Sequence, residues 1–354
     1  MAVIVGLDVG GANTKVCCLT VSNGIIMEGA GRSVYHEMWR DPGGLREVLE
    51  GFRQEFLLAE NKELQGVALT ITAELCDVFT SKEQGMGFIT AMTQQVFFDV
   101  PVYLWTIRGE FIGSHELKRM AEGAAANWLA SATALAKSPL LGEAAVFLVD
   151  MGSTTTDISL IAKGQVAVKG RSDTERLATA ELVYSGVLRT PVNAVVDYVF
   201  VDGAPCRLMS EYFAIMADVY RLLGCIAEDD YTVAVPDNGT KGLEDCARRL
   251  ARIVGAEPQQ LGWDCIYAMA EYIQEKHIQQ IVAAIWQILS RTQQPWPARL
   301  VMAGQGTFLL EQVAGRLKWE AIPWWNVISF GIDREKYALT AYAVAQLLAR
   351  WLKI

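Results

Sequence analysis

Apolar and polar positions alternate from the first residues. Val3, Val5 and Leu7 fall on one side of an extended segment and Ile4 on the other, the period-two signature of a strand. A glycine turn follows, then an apolar run over 16–21, and Asn23-Gly24 marks a hairpin turn into Ile25 and Ile26. From 43 to 59 the period changes: Leu45, Val48, Leu49, Phe52 and Phe56 recur at helical spacing. Residues 65–72 return to a buried-strand pattern, so the opening is β-β-β-α-β. After Pro101, residues 102–106 predict a strand and 122–135 an alanine-rich helix, and Ser138-Pro139 with Gly142 marks a boundary.

Past that boundary the opening pattern returns. Residues 144–149 predict a strand, 150–156 a turn of glycine and hydroxyls, 157–161 a second strand, and Lys163-Gly164 another hairpin turn. This internal repeat of residues 8–19 implies a duplicated α/β fold. Helices are predicted over 211–223, 243–254 and 266–289, the last with Ile266, Met269, Ile273, Ile281, Ile285 and Ile288 on one face. A short buried strand at 300–303 is closed by Gly304-Gln305-Gly306, and 337–351 forms a final amphipathic helix. At 354 residues the chain exceeds the size of one ordinary core. The expected organisation is one lobe over 1–137, completed by helix 336–354, and a second lobe over 143–335.

Composition supports two cores and excludes a disordered chain, with 52% hydrophobic and 20% charged residues. A formal net charge of -9, with no Lys/Arg block interleaved with aromatics, argues against nucleic acid as a partner. The opening residues lack the pattern of a signal peptide, and no apolar run reaches the about 20 residues of a membrane span. A cytoplasmic protein without membrane contact is expected. Seven scattered cysteines without metal-ligand spacing read as free thiols in a reducing compartment. His277 falls on the apolar stripe of the long predicted helix, where a packed, hydrogen-bonded imidazole is expected rather than a metal ligand. A homo-oligomer is compatible with the sequence, which carries no signal of its own for one.

Candidate chemistry gathers at the two equivalent turns. In the first, an apolar strand delivers Asp8, Gly10 and Gly11 free the backbone, and Asn13, Thr14 and Lys15 follow. Glycines let successive N–H groups form a phosphate cradle, a lysine adds a point charge, and a carboxylate can hold Mg²⁺ through water. Taken alone, this is equally a decorated β-turn. The second turn, Asp150-Met151-Gly152-Ser153-Thr154-Thr155-Thr156-Asp157, repeats the design with four consecutive hydroxyls. Such hydroxyls after a buried strand are costly unless ligand oxygens face them. The expected phosphate-binding residues are therefore Gly10, Gly11, Asn13, Thr14, Lys15, Gly152, Ser153, Thr154, Thr155 and Thr156. Gly304, Gln305 and Gly306 join them by their order in the chain, and Asp8, Asp150 and Asp157 are candidate Mg²⁺ ligands. Elsewhere the choices stay open. Glu74, Asp77 and Lys82 read as a solvated turn or a substrate contact. Glu181 and Tyr184, three apart on a predicted helix, form a hydrogen-bonded pair or a substrate contact. Arg189 and Lys241 are surface charges or reach an anionic substrate.

The order of these motifs resembles the actin, heat-shock chaperone and sugar-kinase superfamily, whose two ribonuclease H-like lobes meet over nucleotide phosphates. The turns at Asp8 and Asp150 are similar to its phosphate motifs, 122–132 to its connecting helix, and 304–306 to its adenosine motif. Residues 72–79, with Lys82 and Gly85, and residues 176–187 resemble the hydantoinase A and oxoprolinase family. Residues 8–15, 150–157, 188–192, 211–213 and 217–220 resemble its single-chain branch linked to tetrahydromethanopterin-dependent one-carbon transfer. That resemblance implies biosynthesis of a methanofuran-type cofactor. An aminomethyl-furanylmethyl group would pass from its diphosphate to the phenol oxygen of a γ-glutamyl-tyramine or tyrosine-like acceptor, releasing diphosphate. On that basis backbone amides, Lys15 and Mg²⁺ take the leaving group's charge, Asp150 takes the phenolic proton and Asp8 faces the metal. Glu74, Asp77, Lys82, Glu181, Tyr184 and Arg189 are then the expected substrate contacts. The same cradle would hold ATP in an amidohydrolase, a small-molecule kinase or a nucleotide-switched interaction protein.

Overall fold

Seven of the eight residues of β1 (Ala2–Val9) are buried, so this strand is covered on both faces and sits inside its sheet. The computed structural model describes residues 1–58, 64–292, 296–328 and 338–354; the expected helix residues 59, 336 and 337 and the expected lobe boundary at 335 lie outside them. Two units are distinguished: Met1–Ala144 with Ile161–Ala167 and Trp324–Ile354, and Ala145–Leu160 with Val168–Pro323.

In the first unit β1 pairs antiparallel with β2 (Asn13–Ser22), and β2 with β3 (Ile25–Tyr35). Helix α1 (Leu45–Arg53), extended by a π-helical turn at Gln54–Leu58, crosses over to β4 (Leu64–Ile71), which runs parallel to β1. Helix α2 (Lys82–Val96) leads to β5 (Val102–Trp105), parallel to β4, and β6 (Phe111–Gly113) closes the edge. Leu45, Leu49 and Phe52 of α1 and Met86 and Ile89 of α2 share one core with Val5, Leu7, Val9 and Val16. The sequence pattern gave no warning of α2, which is capped at Ser81 by a bond from Gln84 N–H. The helix expected over 122–135 starts later, as α3 (Asn127–Ala136), because a 3-10 turn at Leu117–Gly123 precedes it and Ala125 adopts φ 49°.

The second unit opens with β7 (Val146–Met151) and the first part of β8 (Thr156–Ala162); the end of β8 and β9 (Gln165–Val166), which pairs with it, count with the first unit. Helix α4 (Asp173–Ala178) and β10 (Leu182–Val183) follow, and β10 pairs antiparallel with β8. A separate hairpin, β11 (Tyr198–Val201) and β12 (Ala204–Arg207), precedes α5 (Met216–Leu222), α6 (Leu243–Arg252), α7 (Pro258–Leu261) and the 28-residue α8 (Trp263–Ser290). Strand β13 (Arg299–Gly304) then runs parallel to β7, and after α9 (Thr307–Leu317) comes β14 (Glu320–Pro323), parallel to β13. The expected helix 211–223 shrinks to α5 because Asp218 accepts the Ile215 N–H and starts the helix there.

The second sheet, β10-β8-β7-β13-β14, repeats over five strands the order of the first, β3-β2-β1-β4-β5-β6. Both place the strand that carries the candidate aspartate as its last residue but one between its hairpin partner and a parallel strand, the duplicated ribonuclease H-like design. The chain closes with α10 (Leu339–Leu352), which packs on β1 in the first unit. A Cβ on Gly6 would lie 2.1 Å from the Ala341 carbonyl oxygen, so glycine here lets the helix backbone approach the strand. Among the described residues no helix is long and apolar enough to cross a membrane.

Candidate functional site

The first turn joins β1 to β2 through a bond from Gly10 N–H to Asn13 O at 3.0 Å. A Cβ on Gly10 would stand 2.9 Å from that same oxygen, which explains the glycine. Behind the turn, Met38 N–H donates to Gly11 O at 2.9 Å and His36 N–H to Ala12 O at 3.1 Å. A trans peptide points its C=O and following N–H in opposite directions. Pinning these two carbonyls therefore turns the Ala12 and Asn13 N–H groups away from the 36–38 segment, as an anion cradle requires.

Asp8 is almost fully buried and faces Lys15 on β2 and Thr70 on β4 across the sheet. Lys15 Nζ donates to Asp8 Oδ2 at 2.9 Å, and with its side chain 34% exposed it reaches outward from that anchor. Asp8 Oδ1 is buried without a hydrogen-bond partner. A buried anionic oxygen in that state calls for a donor or a cation. Among the described residues no three His, Cys, Asp or Glu side chains gather into a metal-holding group. The open Asp8 oxygen is a single carboxylate ligand of the kind Mg²⁺ takes, since Mg²⁺ keeps waters and binds through one or two carboxylates plus phosphate oxygens.

Residues 72–79 pack against the same turn. Thr72 N–H donates to Val9 O at 2.9 Å, and a Cβ on Gly11 would meet Cys76 Sγ at 3.2 Å. Glu74 is buried here, and the first turn of α2 closes over its backbone: a Cβ on Gly85 would be 2.7 Å from Glu74 O. Asp77 and Lys82 are exposed.

The second turn closes with the same bond as the first, and its carbonyls are pinned one position earlier. Gly152 N–H donates to Thr155 O at 2.9 Å, Val187 N–H to Gly152 O at 3.0 Å, and Leu188 and Arg189 N–H to Ser153 O at 3.1 and 2.8 Å. The Ser153 and Thr154 N–H groups consequently point away from the 187–189 segment. Ser153, Thr154 and Thr155 are half-buried, whereas Thr156 is buried and donates to Ser185 O at 2.7 Å. Gly304 pairs with Met151, adopts φ +84°, and leaves room where a Cβ would come within 2.6 Å of Asp150 Oδ1. Gly306 N–H donates to Met151 O at 3.0 Å, and Gln305 is exposed. The structure thus brings Asp150, the 152–156 turn and 304–306 together within one unit.

Other expected site residues have structural partners. Arg176, itself buried, donates to Asp157 Oδ1 at 2.6 Å, so Asp157 serves an ion pair rather than standing open for Mg²⁺. The helix expected to carry Glu181 and Tyr184 is absent: Ala180 at φ 58° lies between α4 and Glu181. Glu181 is buried and accepts from Lys169 N, Gly170 N, Thr179 Oγ1 and Arg291 Nη2, while Tyr184 is exposed. Arg189 is half-buried, and its charge opposes the rise that burial imposes on the Tyr212 phenol. Lys241 Nζ sits 5.6 Å from the Tyr231 ring centroid.

Pattern reasoning missed two buried networks. Asp218 accepts from Arg249 Nε at 2.8 Å and Tyr231 Oη at 3.0 Å. His277 is bonded through Nδ1 to Tyr220 Oη at 2.7 Å and through Nε2 to Ser185 Oγ at 3.0 Å, and burial lowers its pKa to about 4. The only signal in the sequence was a histidine on an apolar stripe, which located the residue but not its partners.

The hydantoinase/oxoprolinase family model matches residues 65–347. The chain is 33% identical over 354 residues, covering 99% of it and 98% of the relative, to a (4-{4-[2-(gamma-L-glutamylamino)ethyl]phenoxymethyl}furan-2-yl)methanamine synthase of Methanocaldococcus jannaschii. A synthase of the same name from Methanococcus vannielii is 37% identical over 117 residues, 33% of this chain and 52% of that one. Among solved structures, nucleotide-free acetone carboxylase aligns with TM-score 0.56 and 10% identity over 97% of this chain and 70% of that one, a likeness of fold alone.

Proposed function

Because the chain belongs to the hydantoinase/oxoprolinase family, we propose that it forms the phenoxymethyl-furan ether of a methanofuran-type cofactor precursor. The observation that carries this is the end-to-end match to the Methanocaldococcus jannaschii synthase. The phenol oxygen of a γ-glutamylaminoethyl phenol attacks the methylene carbon of an aminomethyl-furanylmethyl diphosphate. An oxygen–carbon bond forms, the bond from that carbon to the diphosphate oxygen breaks, and the phenolic proton passes to a carboxylate.

Such a displacement needs charge neutralisation on the leaving group. Within its own unit each turn has N–H groups aimed away from their pinned carbonyls, and in the first unit Lys15 is a cation anchored on Asp8. Mg²⁺ at Asp8 Oδ1 would supply further neutralisation of phosphate charge. The nucleophile needs a base, since a phenol with pKa about 10 is ionised to only about one part in a thousand at neutral pH. Asp150 is the proposed base, standing at the end of β7 where Gly304 leaves space beside its carboxylate. A placed base contributes about 10²- to 10⁴-fold. Glu74, Asp77, Lys82, Tyr184 and Arg189 remain the proposed substrate contacts, with Arg189 suited to the glutamyl carboxylate. All seven cysteines are free, which fits a reducing compartment.

The test is incubation of the protein with both substrates and Mg²⁺, without ATP, and mass spectrometry of the products. The ether and one diphosphate per ether are expected. No ether in this reaction, with ADP formed once ATP is added, would sink the proposal in favour of a kinase or ATP-dependent amidohydrolase.

A further inference from the structure

The buried network around His277 has one direction only. Gln280 Nε2 donates to Ala194 O and Val195 O, which leaves its Oε1 to accept the Ser185 hydroxyl at 3.2 Å. With its proton committed there, Ser185 Oγ must accept from His277 Nε2–H. Nδ1 then carries no proton and accepts from Tyr220 O–H. The imidazole is a neutral strut in a single tautomer, fully buried and with both nitrogens bonded.

Both ends of this strut reach the turn at Gly152. Ser185 begins the segment whose Ser185 O holds Thr156, whose Val187 N–H holds Gly152 O, and whose Leu188 and Arg189 N–H groups hold Ser153 O. Gly186 lies so close that a Cβ on it would be 2.5 Å from both Gly152 O and Thr154 N. At the other end the Tyr220 ring meets Phe308 edge-on at 4.9 Å, two residues beyond Gly306, which binds Met151 O.

We propose that His277 is a positioning residue for diphosphate: through Ser185 and Tyr220 it fixes the 185–189 segment and the 304–308 segment against the turn, and so sets the direction of the Ser153 and Thr154 N–H groups. This rests on the proposed role of that turn as a phosphate cradle. It adds a residue with no contact to substrate and assigns it to one half of the reaction, the leaving group, and not to the phenol.

The experiment uses the full chain, with inorganic diphosphate and Mg²⁺ as the binding probe and steady-state kinetics alongside. His277→Leu removes both bonds, Ser185→Ala removes the link while keeping the Ser185 carbonyl, and His277→Gln restores a donor and an acceptor. Diphosphate binding should weaken about tenfold in the first two variants at equal folded fraction. KM for the furanylmethyl diphosphate should rise with it while KM for the phenol stays put, and His277→Gln should recover most of the loss. Should His277→Leu fail to fold, Ser185→Ala carries the same expectation. Folded variants that bind diphosphate like the wild type overturn the inference alone, as does an equal rise in both KM values. A wild-type protein that does not bind diphosphate overturns the inference and the phosphate role of the turn together.

Discussion

Asp8, which opens the first turn, and Asp157, which closes the second where Lys15 stands in the first, are held differently. Asp8 pairs with a lysine that is one-third exposed and keeps a buried oxygen open, whereas Asp157 is locked to the buried Arg176. Lys15→Ala and Thr154→Val should each weaken diphosphate binding, by about 1–3 kcal/mol where a charge-assisted bond is lost, read by calorimetric titration. Unchanged affinity in both folded variants would contradict the cradle. Asp157→Asn should instead cost stability, by about 3–5 kcal/mol if Arg176 is left as an uncompensated buried charge, with the Mg²⁺ dependence of turnover unaltered. Urea unfolding and a Mg²⁺ titration of activity separate the two outcomes. The two turns were legible in the sequence because each closes on a bond between residues three apart. It did not show the ion pairs of Asp157 and Glu181, whose arginine partners stand 19 and 110 residues away, beyond any local pattern.

Among the elements, α8 was legible almost to its ends, since its apolar stripe is long and regular, whereas α2 was hidden by glycines and threonines that do not mark a helical face. Periodicity placed a buried histidine on α8, and what it could not state is that Ser185 is its partner. The histidine's pKa falls from 6.5 to about 4 through burial, so the unfolded chain binds the extra proton between those values. The stabilisation is complete above about pH 6.5 and is lost as pH falls towards 4. Between pH 7 and 5 the wild type should lose about 2 kcal/mol more than His277→Gln, measured by urea unfolding at both pH values. Parallel losses would show that His277 does not titrate as its burial demands. At the end of β13, Gly304→Ala combines φ +84° with a Cβ 2.2 Å from Met151 O. A stability loss of about 1–3 kcal/mol and a fall in turnover are expected, because the strand end that flanks Asp150 must shift.

At the scale of the whole molecule, duplication is what made the fold readable: two strand-turn-strand motifs in one chain imply two sheets that share an order, and they share it over five strands. Activity should vanish on chelation and return with Mg²⁺; full turnover in excess chelator would count against the role given to Asp8 Oδ1. Asp150→Asn should retain diphosphate affinity and lose about 10²-fold or more in turnover at neutral pH, recovering partly as pH approaches the phenol's pKa near 10. The most direct measurement of the central claim follows the oxygen that bridges the furanylmethyl carbon and the diphosphate. With that oxygen labelled as ¹⁸O, carbon–oxygen displacement by the phenol predicts all of the label in released diphosphate and none in the ether, in reactions free of ATP. Label retained in the ether, or an ether that forms only when ATP is consumed, would contradict it.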